Sequence, residues 1–246
     1  NQANFPHENP KGVICAWFDE NKSKAETIAD KVAFTQTNNE FVKSRLEKLA
    51  DNKLVLRKGK IVNVEIDSTD AEQSNNTHNQ QVYKKVAEVT QHQIHQLHNK
   101  HHVKHVTGKK VSVGVVRIAN INPMIAIAKA LLTMSPQANY QFHFCIYHSQ
   151  FPLAHRSYKE SRLDKTLNRY DEDTLWQQAE IAHVLKNSEV ENHVFIVLGT
   201  SVVEVGRDHD YDWAIAEPSS LRSIIQLAGR IQRHRQEQPK SENIAV

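Results

Sequence analysis

A change of rhythm at Val111 constrains this chain more than any other feature. From there on, short apolar runs alternate with helical stretches. Val111 to Val116, Phe142 to Tyr147 and Val194 to Leu198 read as strands, with Trp213 to Ala216 as a fourth. Runs this continuous suit strands buried on both faces, as in a parallel sheet. Between them, Asn122-Pro123 opens a helix through about Met134, with Asn as cap and Pro at the first helical position. Leu175 to Leu185 reads as another helix, and Ser219/Ser220 to His234 as a third. The alternation predicts an α/β fold, a mostly parallel sheet with helices on its faces. Ligands on such sheets bind at the carboxyl ends of strands, so chemistry is expected in the loops after 116, 147, 198 and 216.

Residues 1–107 follow a different pattern and are expected to form a separate, mainly helical segment ahead of a domain at 108–246. Val13 to Phe18 is a short apolar run. A helical pattern from Ile28 to Leu49 follows, interrupted by the polar stretch Thr35 to Asn39. Leu54-Val55-Leu56 and Ile61 to Ile66 flank Lys58-Gly59-Lys60, which predicts a small β-hairpin over 53–66. Residues 67–81, rich in Asn, Gln, Ser and Thr, read as a linker, and 82–105 as a long helix. On that helix His92, His95, His98, His101, His102 and His105 form a stripe without carboxylate neighbours, so it reads as a solvated, weakly basic face or contact surface ahead of a metal site. The chain starts without Met and ends on the apolar Ile244-Ala245-Val246, which reads as a piece of a longer polypeptide.

Composition narrows the function. With 39% hydrophobic residues the 246-residue chain can bury a core, while a formal charge of +3 is too small to prove a polyanion partner. Two cysteines without a C-x-x-C pair fit a reducing, cytoplasmic compartment. There is no signal peptide and no apolar run of the ~18 residues that a membrane span needs. The seven glycines are under half the usual ~7%, and none are spaced as a G-x-G-x-x-G or G-x-x-x-x-G-K-[S/T] phosphate cradle.

Two segments carry chemistry. In Gln226-Leu227-Ala228-Gly229-Arg230-Ile231-Gln232-Arg233, a helix places Gln226, Arg230 and Arg233 at i, i+4 and i+7 on one face. Two guanidiniums in one stripe suit phosphate oxygens, or else form a solvated basic surface. Gly229 inside a helix costs about 0.5–1 kcal/mol relative to Ala, so a close neighbour is expected there. The second segment, Gly199 to Asp208, follows the Val194 strand. Ser201 and Glu204 fit a capping box and Gly206 a left-handed stop, placing a short helix N-terminus, an anion site, at a strand's carboxyl end. Read by itself, it is an ordinary capped turn sooner than an anion site.

Gln226-x-x-Gly229-Arg230-x-x-Arg233 resembles motif VI of superfamily 2 helicases, and Thr200 to Asp208 resembles their motif V. More narrowly, Tyr147 to Phe151, Glu204 to Asp212 and Ser219 to Arg235 resemble the CRISPR-associated helicase–nuclease of type I systems, in its type I-F branch. The resemblance implies that 108–246 is the second RecA-like motor lobe and 1–107 the connector between lobes. It implies Arg230 and Arg233 as motif VI arginines, at least one of them an arginine finger, with Gln226, Gly229, Asp208 and Gly206 around ATP. Thr200, Ser201, Arg117, Asn120, Asn122, His148 and Ser149 would face single-stranded DNA. Gln150 departs from the arginine that relatives often carry. ATP and Mg²⁺ would be held mainly by a first lobe, because this chain has neither a phosphate loop nor an acidic metal motif, and it is expected to be inactive alone.

Implied partners are single-stranded DNA, the first lobe and nuclease domain of the same polypeptide, the CRISPR surveillance complex, the adaptation integrase and phage anti-CRISPR inhibitors. His209-Asp210 spells the dyad of an HD nuclease but sits inside motif V, and no metal is expected there. Two other readings compete: a noncatalytic docking fragment using the hairpin and the histidine helix, and a lobe of a different superfamily 2 motor.

Overall fold

The computed structural model describes residues 12–18, 23–50, 55–66, 75–171, 173–204, 208–235 and 237–246. The chain divides into two compact units, 1–54 and 55–246, so the division falls well before the expected boundary at 107/108.

In the first unit, β1 (Val13–Phe18) pairs antiparallel with β2 (Ser23–Ile28), followed by α1 (Lys31–Ala50). The carboxylate of Asp30 caps α1 by accepting from the N–H groups of Val32 and Ala33. Trp17 stacks on Phe34 with ring centroids 5.8 Å apart and donates through Nε1 to Asn38 at 3.2 Å. The polar stretch Thr35 to Asn39 therefore continues the helix, with Asn38 satisfying a buried indole.

The second unit runs β3 (Gly59–Lys60), α2 (Asn75–His101), β4 (Val103–Lys104), β5 (Lys110–Arg117), α3 (Ile121–Thr133), β6 (Tyr140–Tyr147), α4 (Leu153–Thr166), α5 (Asp173–Trp176), α6 (Ala179–Asn187), β7 (Asn192–Gly199), β8 (Trp213–Ala216), α7 (Leu221–Ala228) and β9 (Ile244–Ala245). Its sheet has the order β3-β9-β8-β5-β7-β6, parallel throughout, with β4 added antiparallel on β5. The expected parallel sheet with flanking helices is thus present. Central β5 is buried along seven of its eight residues. A Cβ at Gly114 would lie 2.2 Å from the Trp213 indole, so glycine is required where that ring crosses the strand.

Several sequence expectations change. The hairpin expected over 53–66 is not found among its described residues, 55–66. Gly59–Lys60 pairs instead with β9, and the Val62 N–H donates to the Val246 carbonyl at 2.8 Å, so the partner comes from the far end of the chain. Helix α2 begins at Asn75, inside the expected linker, whose residues 67–74 lie outside the described ones. Helix α3 starts at Ile121 with Asn120 at its cap, not Asn122.

The histidine stripe is also not a solvated face. His95 and His98 are buried, and His98 holds α2 to the sheet through a relay. Trp213 Nε1–H donates to Ser112 Oγ at 3.1 Å, and Ser112 lies 2.7 Å from His98 Nδ1. His98 Nε2 lies 3.3 Å from Asn192 Oδ1. Burial lowers the His98 pKa to about 4, which keeps the ring neutral. His101 donates to the Glu242 carbonyl at 2.8 Å. Of the two features expected to form a docking surface, His95 and His98 are used in packing, while Val55, Ile61 and Ile66 stay exposed.

Candidate functional site

Register brings the candidate loops together. Arg117 at the end of β5 lies opposite both Gly199 and Ala216, and Tyr147 lies opposite Gly199, so β5, β6, β7 and β8 end at one level. A Cβ on Gly199 would lie 2.7 Å from the Tyr147 carbonyl oxygen, which explains glycine at this exit. A 3-10 turn, Ser201–Val203, follows, with buried Thr200 at its cap and no side-chain capping bond.

The capping box does not form because Glu204 has other partners. Its carboxylate accepts from Arg117 Nε at 2.5 Å, and Ser223 Oγ lies 2.8 Å from both of its oxygens. Arg117 also donates to the Glu217 carbonyl at 3.1 Å and to Ser223 Oγ at 3.0 Å. Arg117, expected to face a DNA strand, is thus 4% exposed and joins three loops of the edge internally. His148, expected on the same track, is likewise buried; it stacks on Phe151 at 4.3 Å and accepts the Gln150 N–H at 3.3 Å. Burial, then the Lys159 charge, lowers its pKa. Asn120, Asn122, Ser149 and Ser201 are exposed along this edge. Gly206 lies outside the described residues.

The helix expected through His234 stops at Ala228. Gly229 caps it at φ −63°, and a Cβ there would meet only the Gln226 and Ile225 carbonyl oxygens at 3.3 and 3.6 Å, so no close neighbour requires the glycine. Two groups distant in sequence end the helix. Arg57 Nε donates to the carbonyls of Ala228 and Ile231 at 3.0 Å each, and Tyr211 pairs with the segment around Ile231. Gln232 then takes a left-handed φ of 47°. Arg230 and Arg233 consequently do not share a helical face with Gln226, which is half-buried on α7.

The two arginines have different surroundings. Arg230 is partly buried and donates from Nε and Nη2 to the Glu204 carbonyl at 3.3 and 3.2 Å. Burial, then the Arg233 charge, lowers its pKa. Arg233 pairs through Nε with Asp208, and these two side chains are 43% and 53% exposed. Asp208 also accepts from Tyr170 Oη at 3.2 Å and faces His234 Nε2 at 3.2 Å. Burial pushes the Asp208 carboxyl up, but His234 and Arg233 outweigh it and hold the carboxyl below the usual range.

Beneath this exposed pair is a buried charge cluster that sequence reasoning missed. Arg235 donates to Asp210 at 2.7 and 2.9 Å and to Asp212 at 2.6 Å, while Arg169 approaches Asp212 at 3.5 Å. Asp212 also accepts the Val113 N–H at 2.7 Å, tying the cluster to β5. The density of Asp and Arg at 207–212 and 230–235 was the available signal. Of the His209-Asp210 pair, His209 faces Asp164 at 2.9 Å and Asp210 accepts from Arg235, and among the described residues no group of three His, Cys, Asp or Glu could hold a metal.

Comparison with known proteins gives a consistent picture. The family model described as CRISPR-associated nuclease/helicase Cas3, C-terminal, matches residues 110–236. Two curated relatives are both named CRISPR-associated nuclease/helicase Cas3 subtype I-F/YPEST. The one from Pectobacterium atrosepticum is 46% identical over 246 residues, covering 99% of this chain and 22% of that protein. The one from Pseudomonas aeruginosa is 40% identical over 230 residues, covering 91% and 20%. The chain therefore spans about a fifth of the length of these relatives, 22% and 20%. A crystal structure of T. fusca Cas3-ATP aligns with a TM-score of 0.48 at 16% identity, over 78% of this chain and 18% of that one. The chain belongs to the family of the C-terminal region of the CRISPR-associated nuclease/helicase Cas3.

Proposed function

We propose that residues 108–246 act as the second motor lobe of an ATP-dependent single-stranded DNA translocase and nuclease that degrades foreign DNA in CRISPR interference. The observation that carries this reading is the exposed Arg233–Asp208 pair beside the anchored Arg230. An arginine held by an exposed carboxylate can exchange it for a phosphate oxygen without leaving a buried charge unpaired. Arg233 is then the finger that neutralises charge on the transferred phosphoryl group. Arg230 holds the Glu204 loop in register with it. Gln226 and Gly229 lie at the same helix end, where they would flank ATP. ATP and Mg²⁺ would depend chiefly on groups this chain lacks, and the chain alone is expected not to turn over ATP. The exposed Ser201, Asn120, Asn122 and Ser149 offer hydrogen bonds to a strand's backbone along the sheet edge, next to Thr200, which is buried at the cap of the turn. In the whole protein, the first lobe, the nuclease domain and the CRISPR surveillance complex are the partners this role requires.

Arg233→Ala in the full-length protein should lower DNA-stimulated ATP hydrolysis by about 10³-fold or more while leaving single-strand binding intact. Unchanged turnover in Arg233→Ala would reject Arg233 as the finger, and unchanged turnover in Arg230→Ala as well would leave neither arginine in that role.

A further inference from the structure

Asp208 is held on more sides than its exposure suggests. Besides Arg233, it accepts the hydroxyl of Tyr170 at 3.2 Å and faces His234 Nε2 at 3.2 Å. Tyr170 follows α4, far in sequence from both motif-like segments, yet its ring lies flat on His234 with centroids 3.8 Å apart and an interplanar angle of 17°. His234 is itself fixed. Its side chain is 1% exposed, and Nδ1 accepts the Arg169 backbone N–H at 3.0 Å, which turns the Nε2 edge of the ring toward Asp208. Arg169 in turn reaches Asp212 in the buried cluster. A line of contacts therefore runs from β5 through Asp212, Arg169 and His234 to a tyrosine that is 71% exposed beside the arginine.

We propose that Tyr170, stacked on His234, is a positioning residue for Arg233: it clamps Asp208, and Asp208 aims the guanidinium. This rests on the reading of Arg233 as the finger. When Arg233 leaves Asp208 for a phosphate oxygen, Tyr170 and His234 keep the carboxylate in place. The guanidinium thus moves against a fixed reference and returns to it after each turnover. The hydrogen bond to Asp208 pushes the Tyr170 hydroxyl above its ordinary pKa, so it remains a donor.

The test uses full-length protein carrying Tyr170→Phe, which retains the stacked ring and removes only the donor. DNA-stimulated ATP hydrolysis should show kcat lowered about tenfold, with KM for ATP, single-strand affinity and melting temperature unchanged. An unchanged kcat overturns the proposal. So does a loss of kcat accompanied by equal losses of melting temperature and strand binding, which marks a merely structural residue. Arg233→Ala measured in parallel separates the two claims. If it leaves turnover intact, the finger reading itself fails. If it abolishes turnover while Tyr170→Phe does not lower kcat, only the positioning role fails.

Discussion

Arg117 with Glu204 and Arg233 with Asp208 are both arginine–carboxylate pairs near the carboxyl edge of one sheet, but the side chains of the first are 5% and 3% exposed and those of the second 43% and 53%. The buried pair joins three loops and cannot open without stranding a charge in a low-dielectric setting. Water replaces either partner of the exposed pair at little cost. Residues of one type at one edge are thus divided by burial into a pair that is locked and a pair that can open.

Arg117→Ala should destabilise the fold by about 3–5 kcal/mol in chemical denaturation, because Glu204 is left without its cation; a loss below about 1 kcal/mol would erase the distinction. Next in size is a pH effect of the same origin. His98 is neutral in both folded and unfolded chains above its ordinary 6.5, but burial holds its folded pKa to about 4. As pH falls from 6.5 toward 4, the unfolded chain takes a proton that the folded chain refuses, so stability drops by up to roughly 3 kcal/mol and then levels off. His98→Asn should remove this contribution from denaturation curves recorded across that window, leaving the slope due to the other histidines whose pKa burial lowers, among them His143, held to about 4, and His95, His101, His148 and His193. The smallest expected change is the stability of Arg233→Ala, less than about 1 kcal/mol by the same measurement, even where hydrolysis is lost.

Much of the sheet was legible because β5, β7 and β8 are buried on both faces and read as unbroken apolar runs. Helix α4 was missed because only Leu163 of its fourteen residues is buried, leaving little periodicity to read. The helix after Ser220 was drawn too long. The spacing of Gln226, Arg230 and Arg233 fits a helix, but the groups that end it, Arg57 and Tyr211, are remote in sequence. Arg230, Arg233 and Asp208 could be named from local spacing and resemblance. Tyr170, His234 and the Arg169–Asp212–Arg235 cluster could not, because side chains from separate segments assemble them.

The sheet's outer strand has a consequence for how the protein is made. Lys58 and its partner Asn243 are 185 residues apart, yet Asn243 accepts the Lys58 N–H and donates to the Leu56 carbonyl. At about 5–20 residues per second, the segment around Gly59 waits on the order of 10–40 s on the ribosome before its partner strand exists. A bare strand edge held open that long invites pairing with other chains. Arg57, Lys58 and Lys60 place three cations on it, a kind of gatekeeping that discourages such pairing until Asn243, Ile244 and Ala245 arrive.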